Sequence, residues 1–144
     1  MAIVNTYLTF DGNCEAAFDF YRTAFGSQFR DFSRFAEMPA QHGIPALSED
    51  LKNRIMHVSL PISAETILMG SDILPNMGNS FTMGNNFSIS LGVNSREEAD
   101  QLFAALSARG KVTIPLELTF WGAYFGMWED KFGINWMINY DLPK

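Results

Sequence analysis

The chain has a single cysteine, Cys14, among its 144 residues. That excludes an internal disulfide framework and fits a reducing compartment. Basic residues are also sparse, with 10 Lys and Arg against 16 Asp and Glu and a formal charge of −6. No basic cluster occurs, so neither nucleic acid nor an anionic membrane surface is expected as a partner. The opening stretch, Met1 to Tyr7, has no basic n-region and no long apolar run follows it. No signal peptide or membrane span is therefore expected, and the expected location is cytoplasmic. No glycine-rich phosphate loop follows a strand, which argues against a nucleotide cofactor. There is no Gly-x-Ser-x-Gly elbow, and Cys14 has no visible histidine partner, so it reads as a packing residue.

What is present is apolar and aromatic. Hydrophobic residues make up 47% of the chain and charged ones only 18%. That supports a sizeable core, leaves little charge to coat a monomer, and favours an interface between subunits. All three tryptophans fall between Thr119 and Tyr140. This stretch reads as a strand, a turn near Asp130 to Gly133 and a returning strand, and its bulky rings must cover the core.

From Ile3 to Phe10 the residues alternate as in a strand, with Asn5, Tyr7 and Thr9 on one face. Asp11-Gly12-Asn13 is turn chemistry, and Asn13 is placed to cap a helix. Cys14, Ala17, Phe18, Tyr21 and Phe25 then recur at helical spacing, and Gly26 closes the helix. A second strand is expected over Ser27 to Ala36, followed by a long loop from Met38 to Asn53. Further strands are expected over Arg54 to Pro61 and Thr66 to Gly70. Ser71 to Asn86, rich in Gly, Asn, Ser and Met, reads as a linker.

The pattern then repeats. Asn86 to Val93 alternates, Ser95 and Glu98 form a capping box, and Ala99, Leu102, Phe103 and Leu106 make a helical stripe ended by Gly110. Lys111 to Phe120 alternates again, with Val112, Ile114, Leu116 and Leu118 on one face and Thr113, Glu117 and Thr119 on the other. The order is β-α-β-β-β twice, at a period of roughly 80 residues. Residues 1–72 make the first module, 73–85 the linker and 86–144 the second. The fold class is α+β. One helix covers one face of each sheet, so the two modules are expected to close a half-barrel cup.

Tyr7-Leu8-Thr9-Phe10-Asp11-Gly12-Asn13, Ala16 to Tyr21 and Phe25-Gly26 resemble the vicinal oxygen chelate superfamily of glyoxalase I, bleomycin-resistance proteins and extradiol dioxygenases. Leu68 to Asp72, Thr119 to Gly122 and Asp130 to Trp136 resemble its PhnB-like branch, whose proteins are often labelled demethylubiquinone methyltransferase-like. The missing glycine-rich loop argues against actual S-adenosylmethionine-dependent methyl transfer. The resemblance implies a homodimer and a divalent metal held by His or Glu on the first and fourth strands of each module. Those positions fall at or near Asn5, Met69, Ser88 and Met137, where no imidazole or carboxylate stands. Divalent ions need several N or O ligands, so no metal or other cofactor is expected.

The expected site binds a small organic ligand. Tyr7, His57, Ser88, Ser90 and Asn135 supply hydrogen bonds, and Met69 and Trp121 supply apolar contact. No catalytic residue is assigned; His57 and Glu117 are the candidates, His57 because its ordinary pKa lies near neutrality. The alternative is a metal-dependent lyase, isomerase or dioxygenase-like enzyme whose displaced site uses His57, Glu117 and Asp72. His42, in the Pro/Gly loop, is expected to be solvated, and Asp130 to be a turn former.

Overall fold

The computed structural model describes residues 2–38, 47–75 and 80–144. The chain divides into two compact units, Met1–Thr82 and Met83–Lys144. His42, and most of the loop around it, lies outside the described residues.

In the first unit, β1 (Thr6–Phe10) leads into α1 (Cys14–Phe25) and then β2 (Asp31–Arg34). A 3-10 turn over Phe35–Glu37 and a short helix, α2 (Glu49–Lys52), come before β3 (Ile55–Pro61) and β4 (Ile67–Asp72). The sheet order is β1-β4-β3-β2, with β1 and β4 parallel and the other pairs antiparallel. The second unit repeats the plan with β5 (Ile89–Gly92), α3 (Arg96–Leu106), β6 (Lys111–Leu118), β7 (Ala123–Glu129) and β8 (Asn135–Asp141). Its order is β5-β8-β7-β6, with β5 and β8 parallel. The fold is α+β, two four-stranded sheets each backed by one long helix.

Several boundaries differ from the sequence reading. β1 starts at Thr6 because Ile3 and Val4 are left to solvent, 80% and 93% exposed. β2 is shorter than expected, because its ladder to β3 slips between Ser33 and Arg34 and the chain then turns. Glu49 and Asp50 belong to a helix, not a loop. Ser48 Oγ accepts a hydrogen bond from Leu51 N at 3.4 Å, and the two carboxylates suit a helix N-terminus. Ser71 and Asp72 close β4 instead of opening the linker. The second long helix ends at Leu106, and Gly110 lies in the turn beyond it. A Cβ at Gly110 would run into the Glu129 carbonyl oxygen.

In the first unit, α1 buries Ala17, Phe18 and Tyr21 against Leu8, Phe10, Val58, Leu60 and Leu68. Gly70 lets the helix approach, since a Cβ there would stand 2.6 Å from the Phe18 ring. In the second unit, Ala99, Leu102 and Leu106 of α3 are buried with Trp128, Trp136 and Ile138 of the hairpin. The two indoles stack at 6.1 Å and 1° from parallel, and Phe103 meets Trp128 edge-on at 5.2 Å.

The helix starts are held differently. Gly26 ends α1 in the left-handed region at φ 66°, as expected, but the Asn13 side chain makes no capping bond. Asp72, only 4% exposed, does that work from the end of β4. Its Oδ1 accepts from Gly12 N at 2.9 Å and Cys14 N at 3.0 Å, and its Oδ2 accepts from Ile55 N at 2.9 Å. Beside it, burial pushes the Cys14 thiol well above its ordinary pKa, and the Asp72 and Glu15 charges add to this. Such a thiol is a packing group and not a nucleophile. In α3 the cap is local: Ser95 Oγ accepts from Glu98 N at 3.1 Å, and the Glu98 carboxylate accepts from Asn94 N at 3.0 Å.

Candidate functional site

In each sheet, alternate residues point away from the long helix, and these far faces gather the polar and soft side chains. In the first unit the ladder sets Tyr7 beside Met69, Met69 beside Ser59, and Ser59 beside Asp31. The next row holds Thr9 beside Ser71, and His57 beside Ser33. Tyr7 and His57 meet on this face. The Tyr7 hydroxyl lies 3.3 Å from His57 Nδ1, and the rings are 25° from parallel with centroids 5.8 Å apart. Tyr7 remains 47% exposed. Ser59 Oγ donates to Asp31 Oδ2 at 3.0 Å, and Arg30 pairs with the same carboxylate oxygen at 3.6 Å. Tyr7, His57 and Met69, expected from the sequence to line a site, share this face, and Asp31 and Ser59 on the same face were not among the expected residues. The alternation of Asp31 and Ser33 along β2 was the available signal.

On the far face of the second sheet, Ser90 sits beside Met137, Met137 beside Met127, Phe125 beside Asn139, and Asn135 beside Glu129. Ser88 precedes β5 and is half-buried. Trp121 lies just before β7, 57% exposed, edge-on to Phe125 at 5.9 Å and to Phe120 at 5.0 Å. β6 corrects the expected parity. Two register shifts put Ile114 beside Met127 and Glu117 beside Phe125, both on the far face, while Val112 meets Trp128 and Leu118 meets Tyr124 on the helix side. Each bulge adds a residue and reverses the alternation beyond it. Glu117 thus stands exposed on the far face beside Phe125.

A metal of the superfamily type would be held by far-face side chains of the paired parallel strands. The register puts Tyr7, and not Asn5, beside Met69, and Ser90, and not Ser88, beside Met137. Neither the phenol and thioether of the first unit nor the hydroxyl and thioether of the second fit a divalent ion that wants imidazole or carboxylate. Among the described residues no three His, Cys, Asp or Glu side chains cluster to hold an ion. Asp72 is already engaged by the three backbone N–H groups. Asp130, 3% exposed, is engaged likewise, accepting from Phe132 N at 2.8 Å, Ile134 N at 3.0 Å and Trp136 Nε1 at 2.9 Å. Both carboxylates are structural, and the turn-forming expectation for Asp130 holds.

The duplicated β-α-β-β-β plan agrees with comparison to known proteins. The chain belongs to the Glyoxalase/Bleomycin resistance protein/Dioxygenase superfamily, whose family model matches residues 3–138. It is similar to Protein YjdN of Escherichia coli strain K12, 32% identical over 141 residues and covering 94% of this chain and 93% of that one. The crystal structure of protein PA1353 from Pseudomonas aeruginosa is 38% identical, covers 99% of this chain and 100% of its own, and superposes with a TM-score of 0.85. A putative 3-demethylubiquinone-9 3-methyltransferase, PhnB protein, from Bacillus cereus shares the fold at 24% identity and a TM-score of 0.73, covering 96% of this chain and 99% of its own. Among the described residues no helix is long and apolar enough to cross a membrane.

Proposed function

We propose that this protein binds a small organic molecule on the far face of a sheet, without the divalent metal centre common in its superfamily. The observation that carries the reading is the Tyr7–His57 contact beside Met69 on the first sheet. It joins a hydrogen-bonding edge to a flat aromatic and thioether surface, which is the mixture small-molecule sites use. Ser90 and Asn135, with Met137, offer the same mixture on the second sheet, and Trp121 beside Phe125 adds ring surface. Ser88, just ahead of Ser90, completes the proposed set.

The donor set at the paired parallel strands supports the metal-free part of the proposal. The sparse charge and the exposed apolar residues of β6, Val112, Ile114 and Leu118, support a homodimer. A single buried Cys14 suits a cytoplasmic protein.

Native mass spectrometry of the purified protein, paired with metal analysis after dialysis, tests the proposal. A retained organic molecule without a stoichiometric divalent ion is the expected result. A stoichiometric ion would overturn it in favour of a metal-dependent lyase, isomerase or dioxygenase-like enzyme. Replacing His57 by Ala is expected to weaken retention of that molecule by about tenfold, the worth of one hydrogen bond of about 1.4 kcal/mol. Unchanged retention would remove His57 from the site.

A further inference from the structure

The Tyr7 hydroxyl stands 3.3 Å from His57 Nδ1, so this contact commits one of the two imidazole nitrogens. Neutral imidazole has one N–H and one lone pair, and the bond made at one nitrogen decides what the other offers. We infer that Tyr7 donates its hydroxyl hydrogen to Nδ1 and thereby holds His57 as the Nε2–H tautomer, a neutral donor for a carbonyl oxygen of a bound small molecule. This deepens the binding reading above and rests on it.

Three features select that ligand class. A phenol is a stronger donor than acceptor and an imidazole nitrogen a strong acceptor, so the hydrogen sits on the Tyr7 side of the contact. The groups around His57 favour an uncharged ligand. From β1 comes Tyr7, from β2 Ser33 together with Asp31, which is already paired with Arg30 at 3.6 Å, and from β4 Met69 and Ser71. The chain's charge of −6 further disfavours an anion. The Tyr7 and His57 rings, 25° from parallel, and the neighbouring Met69 thioether offer a flat, soft bed for an aromatic or conjugated body. A neutral imidazole in this role polarises a carbonyl without carrying charge into the site.

Imidazole 15N NMR on the intact chain, in a buffer alkaline enough to keep histidine neutral, reads the tautomer directly without any ligand. His42 serves as the reference signal. Wild type is expected to show His57 as the Nε2–H form, and Tyr7→Phe is expected to shift it toward a mixture of both forms. An Nδ1–H form in wild type, or identical spectra in the two proteins, overturns the tautomer assignment even if a molecule is retained in mass spectrometry. Acetophenone and ethylbenzene, matched in shape, then test the ligand class. A shift of the Nε2–H signal with acetophenone and none with ethylbenzene is expected. Equal shifts from both, or none from either, overturn the carbonyl assignment while leaving the retention experiment to judge binding itself.

Discussion

The two modules share a topology but anchor their helices by different means. In the second, the start of α3 is closed from within its own sequence, by Ser95 and Glu98 three residues apart. In the first, the start of α1 is closed by Asp72, 58 residues away from Cys14, which also holds the first residue of β3. A local cap stabilises one helix end. A remote buried carboxylate ties a turn, a helix and two strands into one unit, so its loss is felt by all of them. One architecture thus tolerates both solutions, and they differ in how far the damage spreads.

The sharpest way to break that contrast is Asp72→Asn. The amide keeps the volume and one accepting oxygen but puts a donor where the other oxygen stood, against at least one of the three backbone N–H groups, and a cost of about 3 kcal/mol is expected in denaturant unfolding. Ser95→Ala should cost about 1 kcal/mol, the usual worth of an N-cap. Equal losses from the two variants would sink the distinction between remote and local anchoring.

Next in size is Tyr124, whose hydroxyl donates to Asp100 of α3 at 2.5 Å while Arg96 lies 4.4 Å over its ring. The bond to Asp100 raises the phenol above its ordinary value of 10.0. A raised value means the folded state holds the proton more tightly. The stabilisation is therefore present below that ordinary value and is lost as pH climbs through the folded one. Tyr124→Phe should cost about 1 kcal/mol at neutral pH and flatten the alkaline fall in stability.

The smallest expected effect is in the first module, where Arg34 grips Glu15 through both carboxylate oxygens, at 2.9 and 2.7 Å. Hydrogen bonding by Arg34 lowers the Glu15 pKa below its ordinary 4.5. That contribution is present above the ordinary value and disappears as pH falls through the folded one. The pair is partly exposed, so Glu15→Gln should remove only about 0.5 kcal/mol, seen as a shallower acid limb.

Much of this was readable in advance because it is local and periodic. The stripe from Cys14 to Phe25, the Ser95–Glu98 box and the turn at Asp130 each reveal themselves within a few residues. Alternation along β8 likewise sets Trp136 and Ile138 on one face and Asn135, Met137 and Asn139 on the other. Asp72 was opaque because its partners are brought to it only by folding, and a lone carboxylate at a strand end has no signature. Glu117 and Ile114 were assigned to opposite faces because alternation carries no sign of a bulge. Of the candidate site, alternation put Tyr7 on one face of its strand, the resemblance pointed to Met69, and the near-neutral ordinary pKa singled out His57. The contact between Tyr7 and His57 depends on β1 and β3 flanking β4, and neighbourhood in a sheet is not written along the chain.

The near-parallel indoles of Trp128 and Trp136 have a spectroscopic consequence. Because Trp121 lies in the same half of the chain, every tryptophan photon comes from one module, and the other emits only through its tyrosines. Excited at the red edge, the protein carries a reporter that is blind to α1 and its sheet. Melting followed by emission and melting followed by far-ultraviolet dichroism will coincide only if the two halves come apart together.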